Sequence, residues 1–226
     1  GNPPDEFDWQ ARDKKRKFLR FEKLNPISFF NDHIDLQLDD YVCLINCPMS
    51  DKEYNKVYTV KYLGNVSEGK PIRYLNVKNE IMKNSAIKSL KNDDPVWFGC
   101  DVNKHFHREL GVMDIDLFDY DYFYDLKFGM NKAERLEYGE SQMTHAMLFT
   151  GVDLVNNKPT KWRVENSWGS KGGDKGYHIM TDRWFNEYNY EIVVHKDYIP
   201  EKLIDLYYKS EATPLEPWDP MGALAK

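Results

Sequence analysis

From residue 142 onward the chain is a succession of short β-rich runs, at 142–153, 160–166, 176–180 and 190–194, with the glycine-rich turn Gly169-Ser170-Lys171-Gly172-Gly173 between the second and third. Runs of this length, bounded by turn residues, predict an antiparallel set of strands. Within that set His145 stands at the front of an apolar strand, and twenty-one residues later Asn166 opens Asn166-Ser167-Trp168-Gly169. An isolated histidine in such a place is ordinarily a satisfied core residue. Here an amide, an indole able to cover it and a flexible turn arrive together. An imidazole that carries protons needs an acceptor for its second ring N–H to fix the tautomer, and an indole over that bond would exclude water and strengthen it.

Upstream, residues 41–45 and 57–62 read as strands, residues 77–90 as a helix with apolar positions at Ile81, Met82, Ala86, Ile87 and Leu90, and 96–100 as a buried strand. A helix packed on a sheet follows. Residues 12–23 carry seven Lys/Arg against Asp13 and Glu22, with Phe18, Leu19 and Phe21 interleaved. That segment reads as solvated and basic. Docking to an acidic partner or nucleic acid is the weaker reading, because a local run beside a net-acidic chain says little. Asn25-Pro26 then enters a short helix ending near Leu38.

With 226 residues, 41% of them hydrophobic and 15% aromatic, the chain can bury a substantial core. Its net charge of −6 argues against a general nucleic-acid surface. The three cysteines, Cys43, Cys47 and Cys100, imply no disulfide framework and fit a reducing, cytoplasmic setting. The apolar runs are too short and too broken by charge to span a membrane, and the first residues form no signal peptide. A start at Gly1-Asn2-Pro3-Pro4, without an initiator Met, suggests a processed or excised piece.

Three other patterns carry less. The five aspartates of 114–125 lack the mid-loop Gly and closing Glu of a calcium loop, so an exposed loop anchored by aromatics is expected. His105-Phe106-His107 would put two imidazoles on one face of a strand, but no third ligand lies nearby in sequence. Asn65-Val66-Ser67 matches a glycosylation acceptor, which matters only for a secreted chain.

Tyr138-Gly139-Glu140-Ser141-Gln142-Met143-Thr144-His145-Ala146-Met147, residues 161–169, Val96-Trp97-Phe98-Gly99-Cys100-Asp101-Val102 and Trp218-Asp219-Pro220-Met221-Gly222-Ala223-Leu224-Ala225-Lys226 together resemble the bleomycin hydrolase and aminopeptidase C family of papain-like cysteine peptidases. The resemblance runs over essentially the whole chain and covers the C-terminal half of such a protein. It implies an α+β, papain-like fold: residues 1–40 a helical and basic lead-in, 41–210 a β-rich, antiparallel and barrel-like lobe with flanking helices, and 211–226 a tail directed to the active-site cleft. His145 becomes the general base and acid, Asn166 its orienting partner and Trp168 their shield. No metal or organic cofactor is required, peptides are the substrates, and a ring-like homohexamer is the expected assembly.

The family's Cys-Gly-x-Cys-Trp nucleophile segment has no counterpart here. Cys43 and Cys47 lack a glycine turn or helix start that would activate a thiolate, and Cys100 belongs to a strand. The nucleophile is therefore expected on a Cys-bearing N-terminal half, without which the chain is an inert binding or assembly module. The resemblance also implies that the C-terminus, at Ala225 or Lys226, lies in the cleft, meets the substrate's α-ammonium and confines cleavage to the first residue.

Overall fold

The computed structural model describes residues 3–34, 36–64 and 66–225, in two compact units, Gly1–Asp40 and Tyr41–Lys226. In the first unit β1 (Phe7–Arg12) and β2 (Phe18–Leu24) form an antiparallel hairpin, followed by α1 (Pro26–His33). The basic segment is thus half of a hairpin and the stretch is less helical than its composition suggested. Asp13 closes the turn by accepting the N–H groups of Lys15 and Lys17, both at 2.9 Å. Alternation half-buries Leu19, Phe21 and Leu24 and turns Arg20, Glu22 and Lys23 to solvent. Trp9 stacks on Phe21 at 5.2 Å and meets Phe29 of α1 edge-on at 5.0 Å, which gives the unit a small core. The helix starts where expected, because Asn25 caps it through Ser28 N–H at 2.8 Å and Pro26 takes the first position. It stops at His33, five residues short of Leu38, which instead opens a 3₁₀ turn at Leu38–Asp40.

The second unit opens with β3 (Tyr41–Ile45), β4 (Lys56–Val60) and β5 (Tyr74–Asn76), then α2 (Asn79–Lys91) and β6 (Val96–Cys100). Two short strands, β7 (Phe106–His107) and β8 (Val112–Met113), precede α3 (Tyr120–Tyr124) and α4 (Lys132–Glu137). A long hairpin follows, β9 (His145–Val155) and β10 (Lys158–Glu165), then β11 (Tyr177–Thr181), α5 (Asp182–Tyr188) and β12 (Asn189–His195). α6 (Glu201–Lys209) and β13 (Thr213–Leu215) complete the set before a 3₁₀ turn at Pro220–Ala225. Among the described residues eleven strands join in the order β13-β4-β5-β3-β12-β6-β9-β10-β11-β8-β7. The set is not wholly antiparallel, since β13 with β4, β3 with β5 and β11 with β8 run parallel. No helix among the described residues is long and apolar enough to cross a membrane.

An aromatic layer beneath the centre of this sheet fixes where the candidate residues stand. Phe98 of β6 stacks on Phe149 of β9 with centroids 3.8 Å apart, Phe149 meets Trp162 of β10 at 5.0 Å, and Trp162 stacks on Phe185 of α5 at 4.9 Å. All four are fully buried. Trp162 Nε1–H donates to Asp182 at 3.2 Å, so its one polar atom is satisfied. Such side chains contribute about 1.5–3 kcal/mol each through burial.

Glu191 and Lys132 sit inside the second unit without an ion-pair partner among the described residues. Glu191 on β12 accepts a bond from Cys43 Sγ at 2.6 Å, and burial pushes its carboxyl up to about 7. Lys132, the first residue of α4, donates to Asn46 Oδ1 at 2.8 Å and to the Asn189 carbonyl at 2.6 Å, and burial pulls its ammonium down to about 7. In both, desolvation favours the neutral form over the charged one.

Phe149→Ala is expected to destabilise the protein by about 3–5 kcal/mol in denaturant titrations, since it empties the centre of the aromatic layer. Because the Glu191 value is raised on folding, its contribution is fully present below about 4.5 and is lost as pH rises through about 7. The lowered Lys132 value acts in the opposite sense, so stability recovers as pH rises from about 7 towards 10.5. Denaturation midpoints measured against pH should lose the first limb in Glu191→Gln and the second in Lys132→Met.

Candidate functional site

The hairpin β9–β10 places Leu148 opposite Glu165 and Phe149 opposite Val164. Leu148 and Glu165 are the last pair of the ladder, so His145 stands three residues beyond it on β9 and Asn166 one residue beyond it on the chain leaving β10. On the other side β6 pairs with β9, Cys100 facing His145 and Gly99 facing Ala146. His145 therefore emerges at the end of β9, where its strand partner is Cys100 of β6.

Asn166 follows β10 directly, held by its own N–H on the Gly176 carbonyl at 3.2 Å. Its side-chain oxygen lies 2.9 Å from His145 Nε2 and accepts the backbone N–H of Ser167 at 2.8 Å. The peptide N–H can only donate, so that amide atom is the acceptor and His145 Nε2 must carry the hydrogen it shares with it. Nδ1 is then the ring nitrogen left to take a proton. Asn166 is 8% exposed, and its Nδ2 has no hydrogen-bond partner among the described residues. Trp168 lies with its ring centroid 4.8 Å from the imidazole at a tilt of 36°. The three residues singled out in the sequence thus stand together, two by a hydrogen bond and the third by ring contact.

No sequence pattern marked Phe106 or Arg108, yet both reach the same indole. The Phe106 centroid is 6.4 Å away and the Arg108 guanidinium carbon lies 4.9 Å from the ring centroid. They come from β7 and the turn after it, which is remote in sequence; only the folded sheet brings them near.

The three cysteines are buried and reduced. Burial pushes the Cys47 thiol up to about 12 and those of Cys43 and Cys100 well above their ordinary value, the latter two with help from the neighbouring Glu191 and Asp101 carboxylates. A thiol in such surroundings stays protonated and is a poor nucleophile. Cys100, though His145's neighbour across the strands, is wholly enclosed in the core and makes no hydrogen bond to it among the described residues.

The remaining patterns resolve differently from expectation. His105 has left-handed backbone, φ 47°, and precedes β7, so His105 and His107 do not share a strand face. Its ring stacks on Tyr188 at 5.8 Å. Among the described residues no cluster of three His, Cys, Asp or Glu could hold a metal ion. The aspartate-rich stretch contains α3, capped by Asp119, in place of an open loop. Asn65 and Lys226 lie outside the described residues, as does the Ala225 side chain. Much of the expected tail is fixed: β13 joins the sheet edge, Lys52 pairs with Asp219 at 2.7 Å, and Met221 is fully buried.

A family model described as the Peptidase C1-like family matches residues 1–222. Aminopeptidase C of Listeria innocua is 44% identical over 225 residues, covering all of this chain and 51% of that protein. Bleomycin hydrolase of Gallus gallus is 46% identical over 232 residues, again covering all of this chain and 51% of that protein. Among solved structures, PepW from Lactobacillus rhamnosis superposes with a TM-score of 0.95 at 47% identity, over 98% of this chain and 50% of that one. The chain spans about half the length of the curated relatives it matches. With an α+β fold, a β6–β9–β10 frame around His145 and Asn166, and a family match over almost its whole length, the chain belongs to the Peptidase C1-like family.

Proposed function

We propose that this chain supplies the histidine and asparagine of a cysteine-type aminopeptidase of the aminopeptidase C and bleomycin hydrolase kind, and that the nucleophilic Cys comes from the portion of such proteins that it does not span. The observation that carries the reading is the His145 Nε2 to Asn166 Oδ1 hydrogen bond of 2.9 Å, with Trp168 against the imidazole. That bond leaves Nδ1 free to receive the thiol proton. The thiolate then attacks the carbonyl of the first peptide bond, and the imidazolium returns the proton to the departing amine. In the second half His145 takes a proton from water, the resulting hydroxide releases the acyl group, and the thiolate leaves. Peptides as substrates, a cytoplasmic setting, a homohexameric assembly and a C-terminus at Ala225 or Lys226 that confines cleavage to the first residue belong to the same proposal. The anchored segment from β13 to Met221 supports the last point, since it fixes where the final residues begin.

A second reading, a non-catalytic peptide-binding or assembly module, is favoured by one observation: none of the three thiols of this chain is exposed or activated. Kinetics on fluorogenic aminoacyl amides, with the protein that carries the nucleophilic segment, separate the two. His145→Ala is expected to lower turnover by about 10²–10⁴-fold, the usual contribution of a general base. Asn166→Ala should cost roughly ten- to a hundredfold, the worth of a hydrogen bond to a charged partner. Unchanged rates in both variants would defeat the assignment, and an inactive parent protein would favour the module. Removing residues 223–226 should raise cleavage of blocked, internal peptide bonds at the expense of free N-termini; unaltered specificity would remove the tail from the account.

A further inference from the structure

Trp168 is 46% exposed on the loop that follows β10, a position in which an indole ordinarily reorients. Arg108 is placed to stop it. Its guanidinium carbon lies 4.9 Å from the Trp168 ring centroid, within cation–π range, while its Nη2 donates to Asn103 Oδ1 at 2.8 Å. The second bond matters as much as the first, because it orients the fork and reduces the freedom a long side chain would lose on reaching the ring.

The approach depends on glycines from two separate loops. Gly111 closes the turn after Arg108 at φ +68°, bonded N–H to the His107 carbonyl at 2.9 Å, and its own carbonyl accepts Ile179 N–H at 2.7 Å. A Cβ on Gly111 would fall 2.5 Å from the Gly173 Cα, and one on Gly172 would come within 3.3 Å of the Arg108 carbonyl. Gly173 is itself left-handed, φ +56°. Side chains at these places would push the Arg108 turn away from the loop that starts at Trp168. Phe106, on the strand before that turn, adds the other contact with the indole at 6.4 Å.

We propose that Arg108 is a positioning residue of the site: it holds the Trp168 indole over the His145–Asn166 hydrogen bond, and so limits the water that reaches that bond. The inference rests on the peptidase reading above and adds to it a residue that acts only through Trp168. Because Arg108 acts through the His145–Asn166 bond and not on the substrate, it should affect kcat and leave KM nearly untouched.

The test uses the active, full protein with single and paired substitutions. Arg108→Gln is expected to lower kcat about two- to fivefold, the value of one exposed cation–π contact, with KM within about a factor of two. Arg108→Lys, which keeps the charge and loses the fork, should recover most of that loss. In a Trp168→Leu background Arg108→Gln should have no further effect. Independently of turnover, acrylamide quenching of the Trp168 fluorescence, isolated by subtracting the Trp168→Phe spectrum, should rise in Arg108→Gln. Equal losses in the two backgrounds, or unchanged kcat and quenching in Arg108→Gln, would overturn the inference while leaving the peptidase reading intact. A parent protein without turnover would overturn both.

Discussion

The pairing of β9 with β10 is the constraint on which the rest of the site depends. An antiparallel hairpin returns the chain to its starting edge, so residues far apart in sequence become neighbours at the open end. Here the hairpin brings His145 and Asn166 within hydrogen-bonding distance, and a slip of β10 by one position would turn that strand's core face to solvent. The aromatic layer prevents that slip. Phe149 and Trp162 lie on the buried side of the two strands, between Phe98 of β6 and Phe185 of α5, and a one-residue slip of β10 would carry Trp162 to the opposite face.

The chemistry of the site follows from what that frame permits. Asn166 is nearly buried, so its oxygen serves two N–H donors, Ser167 and His145, in surroundings where hydrogen bonds are stronger than in water. The imidazole is then left with one defined tautomer and one free nitrogen. By contrast, every thiol of the chain sits where burial keeps it protonated, and Cys43 spends its hydrogen on Glu191. The imidazole and the amide that orients it are joined by a hydrogen bond, and the thiols serve as small core residues. Lys132 and Glu191 carry the same logic away from the site, since the interior disfavours the charge of each.

Much of this was legible in the sequence where one physical signal dominated. β6 matched its expected limits, and β9 to β12 fell within three residues of theirs, because short apolar runs between turn residues have few other uses. His145, Asn166 and Trp168 were readable because their residue types needed one another. The hairpin of the first unit was hidden by its charges, which obscured the alternation of Leu19, Phe21 and Leu24. β13 was hidden by Pro214, which is tolerated because that strand stands at the sheet edge. Arg108 could not have been found, since its role depends on the close approach of two glycine-bearing loops that no local pattern encodes.

The most direct test of the central claim is the rate at which iodoacetamide alkylates the nucleophilic cysteine of the full protein near pH 6, with His145 intact and with His145→Ala. If His145 Nδ1 holds that thiol's proton, the intact protein should react much faster, because a neighbouring imidazolium keeps the thiolate populated well below the ordinary thiol range. Equal alkylation rates in the two proteins would contradict the account, since the cysteine would then owe nothing to the imidazole that the β9–β10 frame presents.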